Sequence, residues 1–201
     1  PIKLPDTLTE LSINDDCDYP IELPPKLTKL ILGKYFDQSV KLPQSLQYLD
    51  LGECFNTSID LPANLRNLTV GASFEQPITF PDSLRVLHWK SPRGPSLVLP
   101  PNLEKLLFGS DFNHPIILPS NLREVTFGVC FNNPVVLPPK LEKVSFGRFF
   151  NHAIILPETI QLAKFGTLFR RAITFPPSLK TLILSASYPH PIPTDINVVF
   201  I

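Results

Sequence analysis

One pattern governs what this chain can become: a Leu-Pro or Phe-Pro pair begins at residues 4, 23, 42, 61, 80, 99, 118, 137, 156 and 175, always 19 residues apart. Ten copies follow one another without an insertion or deletion. Residues 99–155 show the unit plainly, as LPPNLEKLLFGSDFNHPII, LPSNLREVTFGVCFNNPVV and LPPKLEKVSFGRFFNHAII. With that Leu as position 1, the consensus is L-P-x-x-L-x-x-L-x-F-G-x-x-F-N-x-P-I-x, and positions 1, 5, 8, 10 and 18 are apolar in all ten copies. A unit this short cannot bury its own apolar face, so the copies must stack and share one core.

No helical stripe fits these apolar positions, but two short alternating stretches do. Positions 8 and 10, such as Leu106 and Phe108, face inward between outward residues at 7 and 9. Position 18 and the following position 1, such as Ile116 and Leu118, form a second stretch flanked by β-branched Ile117, Val136 and Ile155. Each coil is therefore expected to carry two short parallel strands, with turn and polyproline segments between them and little or no α-helix. Gly at position 11 in seven copies is expected to supply a positive φ after the first strand, and Pro at position 2 in all ten fixes φ at the next bend. Residues 1–201 are read as a single solenoid domain of ten repeats, with residues 192–201 as a terminal strand or cap. Ten coils at a strand spacing of ~4.8 Å give a rod or arc roughly 48 Å long. Six inward columns run along it, and Phe36, Phe55, Phe74, Phe112, Phe131, Phe150 and Phe169 at position 14 form an aromatic spine. Each buried aliphatic or aromatic side chain is worth on the order of 1.5–3 kcal/mol before entropy is subtracted, so this burial is the main force between coils.

The repeat also accounts for the composition. Twenty-four Pro against eight Gly would suggest disorder, but the prolines are periodic and 43% of residues are apolar. Eighteen basic residues balance eighteen acidic ones, which leaves no broad attraction for nucleic acid or an acidic membrane surface. No apolar run is long enough to span a bilayer, and the start lacks the form of a signal peptide. An intracellular protein in a reducing compartment is expected, a monomer rather than an oligomer. Its opening Pro-Ile-Lys falls in mid-repeat without an initiator Met, so a piece of a longer chain is expected.

The L-x-x-L-x-[FL]-G segment resembles the strand segment of leucine-rich repeats. With the further signature FNHPI at 112–116 and FNNPV at 131–135, the chain resembles the FNIP repeats, relatives of leucine-rich repeats found in social amoebae and in large DNA viruses of protists. That resemblance covers nearly the whole chain. It implies a right-handed leucine-rich-repeat-like superhelix used as an interaction surface, attached in some relatives to an F-box or other domain, and a cytoplasmic setting, that of a host if the protein is viral. Two features depart from the family pattern. The period of 19 is short, which makes the convex side lean, and the Asn ladder of leucine-rich repeats would fall at position 13, where Tyr35, Cys54, Ser73, Asp111, Cys130 and Phe149 stand. Asn or Asp occurs instead at position 15, including Asn113, Asn132 and Asn151, and is read as a displaced ladder satisfying turn backbone.

A register turns sequence distance into space, and this bears on catalysis. Cys54 and Cys130 share position 13 four coils apart, roughly 19 Å, well beyond disulfide reach, and Cys17 lies in the Phe column. Free thiols are expected. His114, His152 and His190 share position 16 two coils apart, ~10 Å, too far to ligate one metal. His88 stands on the first strand with no nucleophile and acid partner foreseeable beside it. There is no phosphate-binding glycine motif, and the sequons at Asn56 and Asn67 have no secretory context. No enzyme, cofactor or metal is expected.

The outward positions say more. Position 6 reads Arg85, Glu104, Arg123, Glu142 and position 7 reads Lys105, Glu124, Lys143, a checkerboard that keeps like charges from facing one another in stacked strands. Copy 5 departs from the pattern: in KSPRGPS, residues 90–96, Lys90 replaces Gly, Arg93 replaces the spine Phe, and two extra prolines enter. One reading is a decayed repeat whose loop bulges from the core while Trp89 is buried. The other is a recognition patch formed by Tyr48, Asp50, Asn67, Val86, His88, Lys90 and Arg93, because irregular loops on rigid scaffolds often carry function. The expected function is a non-catalytic interaction scaffold binding a protein or peptide, from a host or its own proteome, on the strand face. The alternative is a structural component that self-associates or joins a particle.

Overall fold

A computed structural model describes residues 4–94 and 96–201. The opening Pro-Ile-Lys segment and the second loop proline, Pro95, lie outside the described residues. The chain divides into two compact units, residues 1–103 and 104–201, built on one plan.

In the first unit the strands are β1 (Glu10–Ser12), β2 (Lys29–Ile31), β3 (Tyr48–Asp50), β4 (Asn67–Val70) and β5 (Val86–Trp89). All pair in parallel with their sequence neighbours at an offset of 19, so that Glu10, Lys29, Tyr48, Asn67 and Val86 lie side by side. The middle residue of each strand points inward: Leu30, Leu49, Leu68 and Leu87 are buried, between outward neighbours that stay partly exposed. The second unit repeats this with β6 (Lys105–Phe108), β7 (Glu124–Thr126), β8 (Lys143–Ser145), β9 (Leu162–Lys164) and β10 (Thr181–Leu184). A terminal strand, β11 (Asn197–Phe200), pairs Thr181 with Asn197, so the last turn is three residues short of the repeat. Parallel strands joined by crossovers of this kind wind as a right-handed coil. The expected leucine-rich-repeat-like, mostly β solenoid is what forms, and among the described residues there is no helix.

One expectation is corrected. Among the described residues each coil carries one strand, not two: the stretch around positions 18 and 1 joins no ladder. The flanking prolines explain this, since Pro stands at position 2 in every copy and at position 17 in Pro20, Pro77, Pro115, Pro134 and Pro191, and a proline cannot donate to a ladder. The position-2 prolines instead accept a turn bond from the N–H of position 5, from Leu8 N to Pro5 O at 3.0 Å through Leu179 N to Pro176 O at 3.1 Å.

The glycines at position 11 are corrected too. Among the described residues only Gly52 has a positive φ, 72°. The column is small for another reason: a β-carbon on Gly33, Gly71, Gly128, Gly147 or Gly166 would lie 1.8–2.2 Å from the carbonyl oxygen one coil earlier. Backbones approach so closely there that only hydrogen fits.

In the first unit Phe36, Phe55 and Phe74 stack face to face at 6.5 and 6.3 Å. In the second, Phe112, Phe131, Phe150 and Phe169 continue at 6.0–6.3 Å, and Tyr188 follows at 6.1 Å. Here a second column, Phe108, Phe127, Phe146 and Phe165 at position 10, stacks at 5.1–5.5 Å, and each of these rings lies 3.8–4.3 Å from the spine ring of its own coil. Offset aromatic pairs contribute ~0.5–1.5 kcal/mol beyond area burial, so this double column adds to what burial alone supplies between the coils of the second unit.

Candidate interaction surface

The Asn and Asp column at position 15 is a continuous hydrogen-bonded ladder within each unit. Asp37, Asn56 and Glu75 N donate to Asp18, Asp37 and Asn56 Oδ1 at 2.7–2.9 Å, and Asn132, Asn151 and Arg170 N to Asn113, Asn132 and Asn151 Oδ1 at 2.9–3.1 Å. Two further ladders escaped the sequence reading. Position 16 side chains bond the previous coil, as His152 Nε2 and His190 Nε2 do with the carbonyls of Asn132 (3.0 Å) and Arg170 (2.9 Å). Position 4 hydroxyls do likewise, with Ser83 Oγ donating to Leu65 O (2.6 Å) and Ser178 Oγ to Ile160 O (2.8 Å). The polar turn positions in these ladders are thus occupied in holding coil to coil. The signal was present as the recurrence of Ser, Thr or Asn at position 4, in eight of ten copies.

The charge alternation forms in-register pairs: Lys29 with Glu10 at 3.4 Å, Lys105 with Glu124 at 2.9 Å, and Arg123 with Glu142. These are exposed pairs worth little each. Cys17, Cys54 and Cys130 are free and half-buried. Among the described residues no cluster of three or more His, Cys, Asp or Glu is placed to hold a metal, and no helix is long and apolar enough to cross a membrane.

The outward side chains of β3, β4 and β5 lie in two rows. Position 7 aligns Tyr48, Asn67 and Val86, and position 9 aligns Asp50, Thr69 and His88, all half-buried. Lys29 Nζ approaches the Tyr48 ring to 5.8 Å. The Asp50–Thr69–His88 row could have been read from the register, and it places an acid near His88 after all. It is no triad, because Thr69 stands between the other two and strands spaced ~4.8 Å apart put Asp50 about 10 Å from His88. Asp50 is engaged locally: Oδ1 accepts from Gly52 N at 3.0 Å, holding the one left-handed glycine.

Beside this row, Lys90 Nζ reaches two coils back to Glu53 Oε1 at 2.6 Å, past Gly71 and Ala72, whose small size leaves the path open. That contact holds the Glu53 carboxyl below its usual range. Burial, then the Lys90 cation, pushes His88 below the ordinary imidazole value, against the weaker pull of Asp50 and Glu53. Arg93 is exposed, and its N–H donates to the buried Ser91 Oγ at 3.3 Å. Trp89 is buried and takes over where the spine stops, meeting Phe74 edge-on at 5.9 Å and Phe80 at 6.3 Å. Gly94 lies against its indole, with no space for a β-carbon. The structure thus brings Tyr48, Asp50, Asn67, Val86 and His88 onto adjoining strands of one face, links Lys90 to Glu53, and leaves Arg93 in the loop that follows.

Single short parallel strands at a fixed offset, a Leu column, an aromatic spine and an amide ladder define a leucine-rich-repeat-like scaffold. The chain matches the FNIP Repeat family over residues 1–33, 20–54, 95–130 and 112–149, more than half its length, and belongs to that family. No curated protein matches it. Among solved structures it is similar to that of CroV588, described as a novel circular LRR protein structure, with a TM-score of 0.76 and 29% identity over 98% of this chain and 37% of that one. This chain therefore corresponds to little more than a third of the CroV588 chain.

Proposed function

We propose that the protein is a non-catalytic interaction scaffold that binds a protein or peptide on its strand face, at Tyr48, Asp50, Asn67, Val86, His88, Lys90 and Arg93. The observation that carries this reading is the contrast between the two faces of β3–β5. The inward residues repeat from coil to coil, whereas the outward rows change chemistry at every strand, from phenol to amide to aliphatic and from carboxylate to hydroxyl to imidazole. A rigid frame carrying a non-repeating, half-buried surface suits recognition, since the frame supplies positions without ordering cost on binding. Free cysteines suit a reducing compartment, where we place the protein. The test is affinity capture from a lysate of the source or host cell with the parent chain and with Asn67→Asp/His88→Asp and Lys90→Ser/Arg93→Ser. A partner retained by the parent and lost by both double variants supports the patch, and equal retention by all three sinks it.

A second reading, assembly, is favoured by one feature of the second unit. Ile117, Val136 and Ile155 at position 19 are 90, 86 and 86% exposed, and line a groove of about 1000 Å³ with Pro134 and Pro138. Exposed apolar stripes of this kind mark association surfaces. Light scattering decides: a mass that rises with concentration, and stays monomeric in Val136→Lys, favours assembly, and a constant monomer mass removes it.

A further inference from the structure

At position 12 of two coils in the first unit, the main-chain N–H meets a carboxylate from the coil before: Lys34 N donates to Asp15 Oδ1 at 3.0 Å, and Ala72 N to Glu53 Oε2 at 3.4 Å, whereas Glu53 N and Ser91 N, which follow Lys34 and Ala72 in the register, meet no carboxylate among the described residues. In the second unit position 12 is Ser110, Val129, Arg148, Thr167 and Ala186, with no carboxylate among them. The N–H groups of Val129, Arg148 and Thr167 find no acceptor among the described residues.

Val129, Arg148 and Thr167 line one groove of about 610 Å³ that crosses the turns after β7, β8 and β9. Gly128, Gly147 and Gly166 put no side chain over the backbone there, and Thr126 and Ser145 offer hydroxyls from the strands. Two cations, Arg148 and Lys164, stand in its walls with Ile201, and none of the lining side chains is acidic. Arg148 rests on the Phe149 ring at 5.6 Å, and neither cation has a carboxylate partner among the described residues.

We propose that this groove binds an acidic segment of a partner protein, whose Asp or Glu side chains supply from outside the carboxylates that Asp15 and Glu53 supply from within. Two observations select this occupant. The same N–H holds a carboxylate in two equivalent coils of the first unit, and the side chains lining the groove include two cations and no acid. The donors also come one per coil, in a row ~4.8 Å apart and not in a cluster, so separate carboxylates along a peptide suit them better than one compact anion. The site is built from residues of the second unit and shares none with the strand-face patch, so it stands or falls separately from it.

The experiment is fluorescence anisotropy at low salt with a fluorescein-labelled peptide of alternating Asp and Gly, an Asn-Gly control peptide, and inorganic phosphate as competitor. The acidic peptide is expected to bind and to be released by salt, while the control does not bind. Val129→Asp places an in-chain carboxylate where Asp15 sits in its coil, facing the Arg148 N–H. Affinity should fall by about tenfold or more, with an unchanged or higher melting temperature. Arg148→Thr/Lys164→Thr should lose as much while folding normally by circular dichroism, and Asn67→Asp/His88→Asp should bind like the parent. Equal binding of acidic and control peptides, no binding of the acidic peptide, or undiminished binding by either folded groove variant overturns the proposal. Displacement by phosphate at concentrations below that of the peptide shows a small-anion site and overturns the acidic-segment assignment.

Discussion

Replacing Gly147 by Ala distinguishes two physical reasons for the glycine column. Gly147 does not have a positive φ, so on backbone freedom alone alanine would restrict the unfolded chain and stabilise by about 0.4–1 kcal/mol. Its β-carbon, however, would lie 2.0 Å from the carbonyl oxygen of Gly128, and no flexible side chain is in the way to yield. A carbon and a carbonyl oxygen approach comfortably only to about 3.3 Å, so the two coils must part locally by more than an ångström. Two flanking hydrogen bonds between these coils, Phe149 N to Val129 O at 3.1 Å and Phe127 N to Ser145 O at 2.8 Å, would stretch out of range. Two lost bonds at ~1 kcal/mol each, with ~1–3 kcal/mol of overpacking, amount to roughly 3–5 kcal/mol. For a chain of this size that lowers the melting temperature by roughly 6–20 °C. Circular dichroism melts of parent and variant measure it, and a melting temperature equal to or above the parent's would refute the close-approach argument.

The aromatic spine gives a second test: Phe131→Ala should cost about 3–5 kcal/mol in urea unfolding and Phe131→Leu much less, because Phe131 is buried between Phe112, Phe150 and Phe127. Acid should weaken the first unit. The Asp37 N–H, then Gln38, hold the Asp18 carboxyl below its usual range, and a depressed carboxyl stabilises above its unfolded pKa and loses that contribution as pH falls through the folded one. Melts followed by Trp89 emission should therefore fall in temperature below about pH 4, and Asp18→Asn, which keeps the acceptor oxygen, should flatten that fall. For His88, NMR titration should give a midpoint below that of a free imidazole, and Lys90→Ala should move it upward by removing the neighbouring cation; an unmoved midpoint contradicts the assigned cause.

Much of the molecule was legible because the repeat never slips. A constant period of 19 fixes which residues lie side by side, so the Leu column, the Phe spine, the position-15 ladder and the charge alternation all follow from counting, as does the face that gathers Tyr48, Asn67 and Val86. The burial of Trp89 could be read the same way, since position 10 faces inward.

What the register could not supply was the distance between backbones and the fate of individual donors. The glycines looked like turn residues until the coils were seen to approach too closely for a β-carbon, and the second apolar stretch looked like a strand although its prolines deny it a ladder. Likewise, a string of letters at position 12 does not show that Asp15 and Glu53 close N–H groups that Val129, Arg148 and Thr167 leave open. Periodicity settles who the neighbours are, because stacking forces equivalent residues into line; contact distances and hydrogen-bond partners arise only once all the coils are packed against one another.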